Sequence, residues 1–209
     1  MKKGIIHFYY EYIKYLRKEK KKIATLQLTS RIEDFLVKEF IYFLHYKSKG
    51  NIFAYSNLGK AGERKYDVCV FKGKSFKEKK IYAIIEAKYF RNIHRADINQ
   101  SAQDEIPQTI KSLKKQLSVF NKNRHCNYDV ELSSFRKNIY GMIFVSWVSE
   151  KNNDPEKKEL YKTIMKKAKN FRYHDLKKPY LRDVFNDIKV KIMDEVFWVS
   201  LKMGLWVKK

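Results

Sequence analysis

Apolar residues recur at helical spacing in the first part of the chain and change to alternating or unbroken runs after it. Ile6, Tyr9, Ile13 and Leu16 fall on one stripe over residues 5–18, which predicts an amphipathic helix. The run Lys18-Glu19-Lys20-Lys21-Lys22 follows and reads as a solvated basic stretch. Ser30 and Glu33 stand in capping-box register, so a second helix is expected to begin at Ser30. Ile32, Phe35, Leu36, Phe43 and Leu44 supply its buried face, and Lys49-Gly50 marks its end.

From residue 51 the period shortens. Residues 51–57 are a short aromatic strand candidate, and residues 58–65 form a loop containing Gly59 and Gly62. A second strand candidate opens at Tyr66 and runs Asp67-Val68-Cys69-Val70-Phe71. After the charged connection 72–80, Ile81-Tyr82-Ala83-Ile84-Ile85 is apolar on both faces, as a central strand is. Residues 91–106 carry no clear period. Pro107 is placed to open a helix with Ile110, Leu113, Leu117 and Phe120 on one stripe. Residues 139–148 read as another buried strand, and Asp154-Pro155 as the start of a further helix. The C-terminal residues predict a helix around 180–188 and strands near 189–193 and 196–201.

The order helix, strand, strand, strand, helix, strand implies a right-handed crossover and a mixed sheet. The expectation is an α/β fold, a mixed central β-sheet flanked by helices. A length of 209 residues with 44% hydrophobic content suits one domain spanning 1–209. With 7 glycines and 3 prolines, no long flexible linker is expected.

Charge sharpens the picture. Lys and Arg number 46 against 23 Asp and Glu, a formal net charge of +23. Such an excess draws in polyanions, because neutralised phosphates release condensed counterions. Nucleic acid is therefore the expected partner. An anionic membrane surface is the lesser alternative, for which the N-terminal amphipathic helix is the candidate element. No apolar run is long enough to span a bilayer, and no signal peptide is expected at the start. Cys69 and Cys126 lack C-x-x-C spacing, which suggests a reducing, cytoplasmic setting.

Candidate chemistry centres on Glu86-Ala87-Lys88, read as the end of the apolar strand. Residues two apart in a strand share a face, so Glu86 and Lys88 project together. Ionised groups beside a buried strand are costly unless paired or bound to metal. Asp67, on the preceding strand, can lie beside Glu86 if the two strands are neighbours. Two adjacent carboxylates make an oxygen site for Mg²⁺. A bound Mg²⁺ polarises a phosphodiester and helps ionise water, while Lys88 is suited to orienting that water or offsetting charge. The plainer explanation is a Glu86–Lys88 salt bridge with Asp67 paired to Arg64. Glu-x-Lys alone says little, since the same spacing begins at Glu19, Glu63, Glu78 and Glu156. The apolar strand around Glu86 and the Asp-bearing strand before it set this instance apart.

Those two runs resemble the PD-(D/E)XK nuclease superfamily, with Tyr66 in place of the name-giving proline. The resemblance covers roughly residues 29–148, leaving 149–209 as a C-terminal elaboration. It implies a restriction-endonuclease-like core, with Asp67 and Glu86 as metal ligands, the Ala87 carbonyl as a further ligand, and Lys88 as the catalytic lysine. It implies Mg²⁺ as cofactor, with Mn²⁺ able to substitute. A glutamate from the helix before the sheet often joins such sites. Glu33 is the match, although it equally serves as capping-box partner of Ser30, and Glu39 is the weaker candidate.

Several groups could hold DNA. Lys60, Arg64 and Lys65 lead into the Asp67 strand, and Arg91, His94 and Arg95 follow Lys88. Gly73-Lys74-Ser75 lacks the first glycine of a phosphate-binding loop, and the five histidines have no metal-ligand spacing. The 15 tyrosines and 14 phenylalanines could stack bases, but their spacing favours packing. The expected function is a metal-dependent DNA endonuclease, preferentially a type II restriction enzyme acting as a homodimer. A junction-resolving, phage or transposon nuclease, or a non-catalytic nucleic-acid-binding protein of the same fold, is the alternative.

Overall fold

The computed structural model describes residues 4–29, 32–58, 66–72, 80–93, 139–168 and 181–207. Three helices, α1 (Ile5–Lys18), α2 (Lys20–Thr29) and α3 (Ile32–Lys47), precede four strands, β1 (Ile52–Leu58), β2 (Tyr66–Lys72), β3 (Lys80–Ile93) and β4 (Ile139–Ser149). Helix α4 (Pro155–Ala168) and strands β5 (Leu181–Ile192) and β6 (Glu195–Val207) follow. The strands form one six-stranded sheet in the order β1-β2-β3-β4-β6-β5. Strands β1, β2 and β3 are antiparallel neighbours, β3 and β4 are parallel, and β4, β6 and β5 are again antiparallel. A parallel pair demands a long crossover, as the strand–helix–strand order led us to expect. The helix expected after Pro107 lies outside the described residues.

The core follows from the alternation of strand side chains. Val68, Val70, Ala83, Ile85, Ala87, Met142, Phe144, Leu201, Met203 and Leu205 share one buried cluster with the apolar faces of α1, α2 and α3. The intervening residues of β6, Ser200 and Lys202, meet Lys157 and Tyr161 of α4. Helices therefore cover both faces of the sheet. The apolar stripe of α1, including Ile5, Phe8, Tyr12 and Leu16, is spent on this core, and Tyr9 donates its hydroxyl to the Met203 carbonyl at 2.8 Å. Among the described residues no helix is long and apolar enough to cross a membrane.

Three expectations are corrected. The basic stretch after Lys18 is helical: α2 buries Ile23, Ala24 and Gln27 while its lysines face solvent. Strand β3 does not end at Lys88 but continues to Ile93, paired with β4 as far as Ile93↔Val148. Residues 181–192 are a strand, where a helix was expected over 180–188. Its register shifts between Asp183 and Phe185 and between Phe185 and Ile188. Those irregularities bring Leu181, Val184 and Phe185 inward at a spacing that imitates a helix.

Helix α3 closes as a Schellman turn. Lys49 N–H donates to the Tyr46 carbonyl and Gly50 N–H to the His45 carbonyl, with both residues at positive φ. The β5–β6 hairpin turns through Met193 and Asp194, because Ile192 pairs with Glu195. Met193 has φ 54° and is 91% exposed. Positive φ at the first central residue of a two-residue hairpin loop is a glycine position. Met193→Gly is expected to stabilise the fold by about 1 kcal/mol and raise the thermal midpoint by about 2–4 °C. Calorimetry checks this.

Between α1 and α3, Tyr15 donates its hydroxyl to Glu39 Oε2 at 2.7 Å. That hydrogen bond, then burial and the Glu39 charge, push the Tyr15 phenol up to about 12 from 10.0. Burial pushes Tyr140 up to about 12 as well. Both phenols hold their protons more tightly in the folded than in the unfolded chain. Their stabilising contribution is complete below pH 10 and is lost as pH rises through about 12. Tyrosinate absorbance should therefore rise in step with loss of ellipticity in that window. Tyr15→Phe should make the alkaline fall in stability shallower.

Candidate active site

The site begins where two strands part. The β2–β3 ladder pairs Val70 with Ala83, Cys69 with Ile84 and Val68 with Ile85. The next residue of each strand is Asp67 and Glu86, so the two carboxylates stand at one step of the sheet. Strand β3 goes on alongside β4, with Glu86 beside Gly141, Ala87 beside Met142 and Lys88 beside Ile143. The backbone of β3 that faces β2 loses its ladder partner at this point. The carboxylate of Asp67 takes over, accepting the Ala87 N–H on Oδ2 at 2.7 Å. A side chain thus completes what the strand no longer supplies. It also fixes the orientation of the Asp67 carboxylate against the Glu-Ala-Lys segment.

Burial separates the members of the group. Glu86 is 4% exposed and Ala87 1% exposed, in the middle of a strand that is apolar on both sides. Asp67 is half-buried, at the mouth of a small open cleft between α3 and the edge of the sheet. That cleft is lined by Glu33, Asp34, Val37, Lys38, Ser56 and Asp67. Helix α3 lies against β1 and β2, and this packing brings Glu33, in its first turn, into the same cleft as Asp67. Glu39, the weaker candidate, is turned away to Tyr15 on α1. Sequence reasoning passed over Asp34, Lys38 and Ser56. Their signal was faint: Lys38 lies one helical turn beyond Asp34 on an exposed face.

Asp67 is therefore joined to Ala87 by a hydrogen bond and to Glu33 by a shared cleft. Glu86 lies one strand over and is not among the residues lining the cleft. Lys88 has its backbone in β3, and its side chain lies outside the described residues, as does that of Arg91. Lys60, Arg64, Lys65, His94 and Arg95 also lie outside them, and so does Ser30, the capping partner expected for Glu33. Among the described residues no group of three or more His, Cys, Asp or Glu side chains converges on a metal position. The donor chemistry nonetheless suits Mg²⁺, which takes one or two carboxylates and fills its remaining positions with water and substrate phosphate. One half-exposed carboxylate at a cleft and one buried carboxylate on the adjoining strand match that demand. A site for zinc would need nitrogen or sulfur ligands. Cys69 is buried within β2, away from solvent.

Searches of protein-family descriptions, of curated proteins and of solved structures find no match to this chain.

Proposed function

We propose that the chain is a metal-dependent DNA endonuclease with a restriction-endonuclease-like core, using Asp67, Glu86 and Lys88 as its central groups. The observation that carries the reading is the hydrogen bond from Ala87 N–H to Asp67, which ties the acid of β2 to the Glu-Ala-Lys segment of β3. Three antiparallel strands followed by a parallel fourth, in a mixed sheet flanked by helices, support this reading. The net charge of +23 suits a polyanionic substrate.

Asp67 and Glu86 would hold Mg²⁺, with the Ala87 carbonyl as a further oxygen donor. When bound, the ion supplies Lewis-acid polarisation of the phosphodiester and lowers the pKa of water. Asp67 is held in one orientation by the Ala87 amide, which limits reorganisation during the reaction. Burial of Glu86 favours pairing its charge with a cation over leaving it solvated. Lys88, two residues beyond Glu86 on the same strand, is assigned to orienting the attacking water and offsetting charge on the phosphate. Glu33, sharing the cleft with Asp67, is assigned as the helix-borne carboxylate. The preferred form is a type II restriction enzyme acting as a homodimer, with Mn²⁺ able to replace Mg²⁺.

The test is incubation with plasmid and with mixed-sequence phage DNA in Mg²⁺, with EDTA as control. Metal-dependent fragments support the reading, and discrete ones favour restriction. Absence of cutting on linear, supercoiled and branched DNA alike overturns it.

A further inference from the structure

Most tyrosine and phenylalanine rings of the described chain are buried or half-buried, but Tyr42 and Tyr46 are 63% and 68% exposed. They lie one turn apart on α3 and face each other at 6.3 Å between centroids, with planes only 13° apart. Lys38 precedes Tyr42 by a further turn and is exposed, as are Lys47 and Lys49 at the far end. The Lys47 ammonium sits 5.6 Å from the Tyr46 ring centroid. Lys38 also lines the cleft that holds Asp67 and Glu33. An exposed track therefore leaves the cleft at Lys38 and runs along α3 through two parallel rings for about 12 Å.

We infer that the Lys38–Tyr42–Tyr46 track binds an unpaired DNA strand, its bases stacked on the two rings and its phosphates met by Lys38, Lys47 and Lys49. The inference rests on the reading of the chain as a DNA-processing protein and names the form of DNA that this face takes. Aromatic rings joined to a row of cations are how proteins hold single strands without reading sequence. Paired bases in a duplex keep their faces covered by their neighbours and cannot use such rings. The flanking lysines repel a second copy of the same face, which favours a polyanion as occupant. Glu39, the one acid on the adjoining turn, is engaged by the Tyr15 hydroxyl.

The experiment is fluorescence anisotropy with labelled oligothymidylate and with a labelled duplex, in EDTA so that no cutting occurs. Tyr42→Ala/Tyr46→Ala is expected to weaken single-strand binding about tenfold or more. Duplex binding should change by no more than about threefold, because it draws on phosphate contacts elsewhere. Tyr42→Phe/Tyr46→Phe, which keeps the rings, should stay within about twofold of the unchanged protein. Both rings are exposed, so matching thermal unfolding of the variants verifies their fold. Unchanged single-strand binding in the alanine pair overturns the inference. So does equal loss on the duplex, or loss in the phenylalanine pair. A dimer that the alanine pair turns into a monomer, seen by light scattering, also overturns it, since the face would then be a contact between copies. Cleavage is read separately. Ring-dependent binding without any cutting removes the nuclease reading and leaves this one, and cutting with ring-independent binding does the reverse.

Discussion

Glu86→Gln is expected to lower metal-dependent DNA cleavage by roughly a thousandfold while leaving the fold intact. A thousandfold corresponds to about 4 kcal/mol of transition-state stabilisation by an ion that the neutral side chain cannot hold. Glutamine keeps the volume of a residue that is 4% exposed, so the surrounding strand should accept it. Asp67→Asn should have a similar effect. Its amide can turn its oxygen to the Ala87 N–H, so the loss would report the missing charge and not the missing hydrogen bond. A second readout separates catalysis from structure. Mg²⁺ should raise the thermal midpoint of the unchanged protein, because an ion that binds only the folded chain stabilises it by linkage. The same ion should leave the midpoints of Glu86→Gln and Asp67→Asn nearly unmoved. Full cleavage by Glu86→Gln would remove that residue from the mechanism.

The largest effect on stability is expected at the other end of the sheet, at Lys157. Its ammonium lies 2.5 and 2.6 Å from the two carboxylate oxygens of Asp187 and 3.3 Å from the Ser200 hydroxyl. Lys157 is 7% exposed. Asp187 sits at an irregularity of β5 with φ 49°, and its N–H donates to Ser200 Oγ at 2.8 Å. The pair thus fastens α4 to the irregular strand. It is held upstream by Asp154, which caps α4 by accepting the Glu156 N–H at 3.0 Å and the Ser149 hydroxyl at 2.7 Å. Lys157→Met keeps most of the side-chain volume but strands the Asp187 charge in a largely buried position. Breaking one half of such a pair costs about 3–5 kcal/mol, a fall of roughly 6–20 °C in thermal midpoint for a chain of this size. Adding Asp187→Asn should recover a large part of that loss, because asparagine tolerates the left-handed backbone and carries no charge. Equal stability of the single and double variants would mean that the charge is not what holds α4 in place.

Much of the candidate site was legible locally. An acid flanked by apolar strand residues is conspicuous, because charge in such a run demands a partner. Asp67 and the Glu86-Ala87-Lys88 segment stood out on that ground. The juxtaposition of Glu33 and Asp67 was not legible. It depends on how α3 lies across the edge of the sheet, and the capping role expected from Ser30 explained Glu33 equally well. The exposure of Tyr42 and Tyr46 was hidden for a similar reason. Tyrosines on a helix with a wide apolar face read as core until the neighbouring helix is in place.

Errors of element type had definite causes. Leu181, Val184, Phe185 and Ile188 follow helical spacing, yet they belong to β5. Extra residues at the two register shifts stretch the strand's period of two toward that of a helix. In α2 the lysines outweigh the few buried positions, so periodicity was masked by charge. Strand β3 outlasted its apolar run because β4 continues to hydrogen-bond its backbone beyond Lys88, and backbone pairing is indifferent to side-chain polarity.

The sequence by itself determined the α/β class, the apolar faces of α1 and α3, the strands β1 to β4, the start of α4 at Asp154-Pro155, and the basic character that selects for polyanions. These are local or summed properties, written in periodicity, capping and charge. Only the tertiary structure decided that β2 releases β3 one step beyond Ile85, that Asp67 then captures the Ala87 amide, and that α3 brings Glu33 and Lys38 to the same cleft. Those arrangements depend on strand register and on the packing of one layer over another, and neither is encoded in any single stretch of chain.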